Sequence, residues 1–174
     1  LHAALGGALT LDEINPWHFR APIAPSLAAA REGKSVSLAQ VLAHIRAARR
    51  NFDVTLVEGA GGLLSPLGED FNSRDLMNTL HARPVIVASN KLGVVNQLLL
   101  TLEALPKNRR AEAKIVLMSP PKPDAATASN AKLLARFYPA EKIFTFPWLE
   151  KRGSSARPLK NFRVKRTLHG LVAA

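Results

Sequence analysis

Four short apolar runs, spaced by stretches of helical periodicity, constrain what this chain can fold into more than any other feature. They occupy residues 54–57, 84–89, 114–118 and 143–146. Each is too short for an ordinary helix and is rich in β-branched or aromatic side chains, so each reads as a buried strand. Between them lie helix signals with identifiable caps. Ser37 and Gln40 fit a capping box, with Leu38, Val41, Leu42 and Ile45 at helical spacing behind them and Arg46, Arg49 and Arg50 in the last turn. Asn72, with Asp75 three residues on, opens a helix to Leu80. Residues 93–105 form another, stopped by Pro106, and residues 124–137 a third, with Leu133, Leu134 and Phe137 expected inward. Strand and helix alternate, which predicts an α/β fold whose parallel sheet is covered by helices on both faces.

The front of the chain is less regular. Residues 1–9 read as the end of a helix. Residues 15–25 carry three prolines and cannot be regular structure, and Ser26 is placed to cap a short helix stopping at Gly33.

Composition sets outer limits. The chain has 174 residues, 47% of them hydrophobic and 21% charged, enough for a substantial core in a soluble protein. With no Cys, disulfides, thiolate metal sites and Cys nucleophiles are excluded. No apolar run reaches membrane-spanning length and no leader pattern opens the sequence, so a cytoplasmic, membrane-free protein is expected. The His residues at 2, 18, 44, 81 and 169 show no metal-ligand spacing. Basic residues outnumber acidic ones 24 to 13, net +11, and seven fall between Lys151 and Arg166 with no acid among them. Residues 1–150 are therefore expected to form one α/β domain and residues 151–174 a solvated basic tail. With one Tyr and two Trp in the chain, there is no aromatic set for stacking bases, so nucleic acid is not favoured as a partner.

Ligand chemistry is expected where the strands end. In open α/β sheets the crevice lies beyond the carboxyl ends of the strands. That gathers residues 58–62, 90–96, 119–123 and 147–150 at one edge. The first of these runs Glu58-Gly-Ala-Gly-Gly62. Its carboxylate can serve a hard cation such as Mg²⁺, and its glycines let backbone N–H groups approach an anion. A strand-to-helix turn whose glycines solve only a backbone problem is the competing reading.

Taken in order, Asn15-Pro-Trp-His-Phe-Arg-Ala-Pro-Ile-Ala-Pro-Ser26, Glu58-Gly-Ala-Gly-Gly62 with Ser65-Pro-Leu67, Lys91-Leu-Gly-Val-Val-Asn96 and Phe146-Pro-Trp-Leu149 resemble the dethiobiotin synthetase family. The resemblance covers the chain from about Asn15 to Glu150. It implies a three-layer, P-loop NTPase-like parallel sheet and a homodimeric ligase of biotin biosynthesis. Such an enzyme closes the ureido ring of 7,8-diaminononanoate with CO₂, ATP and Mg²⁺. It further implies Glu58 as the Mg²⁺ ligand, and Gly61, Ser119, Pro120, Pro121, Pro147, Trp148, Leu149 and Glu150, with Glu58, as the nucleotide site. Gly59, Gly62, Gly93, Val94, Val95 and Asn96 fall to the substrate, the last four as a helix N-terminus receiving its far carboxylate across the dimer interface. Family members often place an Asn near position 119 to bond adenine; residues 116–120 hold none.

No Walker A pattern occurs in the 174 residues: Gly6-Gly7 lacks a following Lys-Ser/Thr, and Gly33-Lys34-Ser35 lacks the upstream glycine and strand. The expectation is therefore an N-terminally truncated chain. A missing half on another polypeptide and a degenerate paralogue are the alternatives. On that expectation no catalytic residue is assigned within the chain and it turns over no ATP alone. The rival from another class is a non-catalytic α/β module that binds an anionic partner. A GTPase is discounted, because Asn90-Lys-Leu-Gly93 has Gly where guanine recognition needs an Asp carboxylate.

Overall fold

The computed structural model describes residues 2–149 and 162–172. Its contacts divide the chain into two compact units, Leu1–Ala82 and Arg83–Ala174.

The first unit is helical. After a 3-10 turn at His2–Leu5 come α1 (Leu11–Ile14), α2 (Pro25–Arg31), α3 (Leu38–Arg49) and α4 (Ser73–Leu80). The caps read from the sequence hold. Ser37 and Gln40 close a reciprocal box on α3, and Asn72 and Asp75 close one on α4. Two details differ. Helix α2 starts one residue before Ser26, with Ala24 as cap and Pro25 in the first turn, where its missing N–H costs nothing. Helix α1, unread from periodicity because it is a single turn, is closed by a box between Thr10 and Glu13. Ala29, Val36, Leu42, Phe71 and Leu76 form the core, with Trp17, Leu38, Val41 and Ile45 packed against it.

Residues 54–57 do not form the buried strand expected of them. They are extended but belong to no ladder, and all four are exposed, Leu56 at 91%. A strand is stable only where a neighbouring strand takes its N–H and C=O groups, and among the described residues none pairs with this segment. The β-branched pattern was present; the partner was not.

The second unit holds β1 (Val85–Ser89), α5 (Val94–Ala104), α6 (Lys107–Glu112), β2 (Lys114–Met118), α7 (Ala125–Leu134), β3 (Ile143–Phe146) and α8 (Phe162–Val172). The three strands form a parallel sheet in the order β1-β2-β3, with Ile86 beside Ile115 and Ile115 beside Ile143. Ile115, Val116 and Leu117 are all buried. Successive side chains on a strand point to opposite faces, so the central strand is covered on both, as a parallel sheet flanked by helices requires. Helix α5 packs on β1 and on α7, and α7 and α8 pack on β3.

Two expectations are corrected by the structure. Of the three residues expected inward on α7, only Leu134 is buried, while Leu133 and Phe137 stand 41% and 61% exposed, the helix ending at Leu134 before Phe137 can join its face. Helix α6, to which the sequence reading assigned nothing, follows Pro106 directly. The basic tail is not solvated throughout. Helix α8 packs against β3 with Val164 buried, because its apolar residues recur at helical spacing between the charges. Residues 150–161 lie outside the described residues, as does most of the basic cluster.

Candidate active site

The carboxyl ends of β1, β2 and β3 open on one cavity of about 410 Å³. Residues 89–91 line it from β1, residues 118–121 from β2 and residues 146–149 from β3. The ladder runs one step past the strands: the Asn90 N–H donates to the Met118 carbonyl at 2.8 Å, and the Ser119 N–H to the Phe146 carbonyl at 2.9 Å. These bonds hold the three loops in strand register, so the lining is set by the sheet. Met118, Pro120, Pro121, Phe146, Pro147 and Leu149 make the wall largely apolar, and Trp148, 53% exposed, offers a ring. Flat, weakly polar molecules suit such a wall.

The polar part of the lining is built around Asn90, 2% exposed. Its Nδ2 donates to the Thr127 carbonyl at 3.1 Å, and its Oδ1 accepts from Asn130 Nδ2 at 2.8 Å. Thr127 Oγ1 lies 3.3 Å from the Asn90 carbonyl, its proton engaged by the Asp124 carboxylate at 2.7 Å. Asp124 caps α7 by accepting from the Thr127 N–H at 2.8 Å, and that bond, with the Thr127 hydroxyl, holds its carboxyl below the usual range. Nothing in the apolar periodicity of α7 announces Asn130. Its one signal is position: it lies four residues before Leu134, on the helix's inward face, where an amide must find partners.

Beside the cavity the chain turns into α5. The Val94 N–H donates to the Lys91 carbonyl at 3.1 Å, and Gly93 sits at φ 89°, a left-handed conformation that Gly adopts without a Cβ penalty. Val94 is fully buried while Asn96 is exposed, so the first turn of α5 is anchored on one side and open on the other. With Lys91 exposed before it, this turn presents backbone N–H groups and positive charge together.

The fourth expected segment lies in the first unit. Glu58 is exposed, with no hydrogen bond or ion pair to its carboxylate among the described residues. The loop after it is compact: the Gly62 N–H donates to Ser65 Oγ at 2.8 Å, the Ser65 N–H to the Gly62 carbonyl at 3.0 Å, and the Arg74 N–H to the Leu63 carbonyl at 3.1 Å. Gly61 takes φ 82°, and a Cβ there would lie 2.7 Å from Ser65 Oγ. A Cβ on Gly59 would lie 2.6 Å from Ser73 Oγ, a buried hydroxyl with no partner. These glycines thus do solve a packing problem, and they leave a bare main-chain surface beside the carboxylate.

The structure therefore brings together Ser119, Pro120, Pro121, Pro147, Trp148 and Leu149, and sets Gly93, Val94, Val95 and Asn96 on the turn that follows the cavity's Lys91. Glu58, Gly59, Gly61 and Gly62 share one loop of the other unit, and Glu150 lies outside the described residues. Among the described residues no cluster of three or more His, Asp or Glu side chains is placed to hold a metal unaided. No helix among them is long and apolar enough to cross a membrane.

Residues 4–155 match the family model described as an AAA domain. Several ATP-dependent dethiobiotin synthetases are similar to the chain. That of Anaeromyxobacter dehalogenans strain 2CP-C is 39% identical over 160 residues, which is 91% of this chain and 72% of the relative. That of strain 2CP-1 is 40% identical over 150 residues, 86% and 67% of the two chains. That of Bacillus subtilis strain 168 is 33% identical over 130 residues, 74% and 56%. The parallel sheet flanked by helices, with loops gathered at its carboxyl edge, is the P-loop NTPase-like architecture such a family requires. Fold and sequence agree: this chain belongs to the ATP-dependent dethiobiotin synthetase family, and its function is that of an ATP-dependent ligase of biotin biosynthesis.

Proposed function

We propose that the cavity at the ends of β1, β2 and β3 receives the base and ribose of ATP, and that the first turn of α5 receives the carboxylate of 7,8-diaminononanoate. The observation that carries this reading is their adjacency. Asn90 and Lys91 line the cavity, and the Lys91 carbonyl closes the turn into α5. An apolar wall with Trp148 suits a purine, and an open helix N-terminus beside a lysine suits an anion. Ser119, Pro120, Pro121, Pro147, Leu149 and Glu150 would complete the nucleotide side. The same reading has a second copy of the chain forming the substrate site across a dimer interface.

Glu58 is the residue that would hold Mg²⁺. One exposed carboxylate without competing partners fits that ion, which keeps several waters and takes one or two carboxylates along with phosphate oxygens. When bound, the ion neutralises charge on the phosphates during phosphoryl transfer. Gly59, Gly61 and Gly62 then let the backbone approach ligands that side chains would keep out. The turn at Gly93 fixes one end of the diamine, so its carbamylated nitrogen and free nitrogen are held in order for phosphorylation and ring closure.

Dethiobiotin formation from diaminononanoate, CO₂ and MgATP, measured on the protein expressed from its complete gene, tests the reading. Glu58→Gln should lower kcat about a hundredfold or more while the unfolding temperature is unchanged. Activity within about threefold of the parent would reject the metal role.

A further inference from the structure

We propose that Asn130, which touches neither ligand in this reading, is a positioning residue for the substrate-carboxylate turn and acts through Asn90 and Lys91. The inference rests on the assignment of that turn made above. Asn130 is 6% exposed and Asn90 2%, so both side-chain amides are buried. Asn130 Nδ2 donates to Asn90 Oδ1 at 2.8 Å and to the Lys91 carbonyl at 3.1 Å. Both amide hydrogens are thus committed to consecutive residues of one loop. The Lys91 carbonyl is also the acceptor for the Val94 N–H that closes the turn. A single side chain on α7 therefore holds the atom on which the start of α5 is built.

The other end of the clamp reaches the nucleotide side. Asn90 Nδ2 donates to the carbonyl of Thr127, in the first turn of α7, and that turn follows directly on the loop from β2 that lines the cavity. Packing alone does not require this arrangement. A leucine at 130 would fill similar volume and avoid the cost of burying an amide. The amide sets position, because hydrogen bonds fix the loop to within tenths of an ångström where apolar contact tolerates sliding.

The test separates positioning from stability. A destabilised enzyme has fewer active molecules, so apparent kcat falls and KM is unchanged; a displaced turn raises KM. In Asn130→Leu, assayed well below its unfolding temperature, KM for diaminononanoate should rise about tenfold or more. Asn130→Ser, which keeps a small donor, decides the matter if the leucine variant does not fold, and should raise KM about threefold or more. Gly93→Ala strains the turn directly and serves as reference. If Gly93→Ala raises KM while both Asn130 variants stay within about twofold, the positioning role is wrong and the turn assignment stands. If Gly93→Ala also leaves KM unchanged, the turn does not bind the carboxylate and both fall.

Discussion

The side-chain amine of Lys114, the first residue of β2, donates to the backbone carbonyls of Gly170 and Leu171 at 3.0 and 3.1 Å, tying the sheet to the carboxyl end of α8. The carbonyls at a helix end have no intrahelical partner, and a cation there also meets the negative end of the dipole. Lys114→Met keeps the aliphatic stem and removes both bonds. It should lower the free energy of unfolding by about 1–2 kcal/mol, read from chemical denaturation, with KM for either substrate unaffected.

Gly68 is closed in by its surroundings. A Cβ there would lie 2.2 Å from Phe71 Cε1 and 2.2 Å from the Val36 carbonyl oxygen, both part of the first unit's core. Gly68→Ala should destabilise the protein by about 3 kcal/mol, the scale of forced overpacking against backbone. Gly62→Ala, where the nearest contact would be an ordinary 3.7 Å from Ser65 Oγ, should cost about 0.5 kcal/mol or less.

Asp124 gives α7 a pH-sensitive start. Its carboxyl is held below the ordinary value of 3.8, chiefly by the Thr127 N–H and then by the Thr127 hydroxyl. A depressed carboxylate contributes stability above its unfolded pKa and loses it as pH falls through the folded one. The contribution should thus be complete above about pH 4 and fade as the solution is acidified below it. Asp124→Asn, which still caps, should flatten that part of the acid-unfolding curve followed by circular dichroism.

Trp148 offers the cavity its exposed ring. If the nucleotide base stacks there, Trp148→Ala should raise KM for ATP about tenfold and leave KM for diaminononanoate within about twofold. Trp148→Phe should recover most of the loss. Equal KM values for ATP in all three proteins would remove the ring from the base site.

What was legible in the sequence was what a few neighbouring residues settle among themselves. The boxes Ser37–Gln40 and Asn72–Asp75 satisfy helix N–H groups within one turn, so the residues that announce them also complete them. The strands at residues 85–89, 114–118 and 143–146 were readable because each carries a run of apolar side chains bounded by breakers, and the loops beyond them followed from strand direction alone. The motif blocks carried the family, since their order along the chain is itself sequence information.

Tertiary structure decided everything that needs a distant partner. Residues 54–57 have the composition of a strand, yet a ladder is made by two segments, and the second is not encoded in the first. Leu133 and Phe137 share the apolar character of Leu134, but only where α7 ends and what it packs against sends one inward and leaves two in water. Asn90 and Asn130 stand forty residues apart and become a pair because α7 lies against the end of β1. Caps and turns are short-range hydrogen-bonding problems solved in sequence; burial, pairing and the buried amide clamp are solved only when the chain has closed on itself.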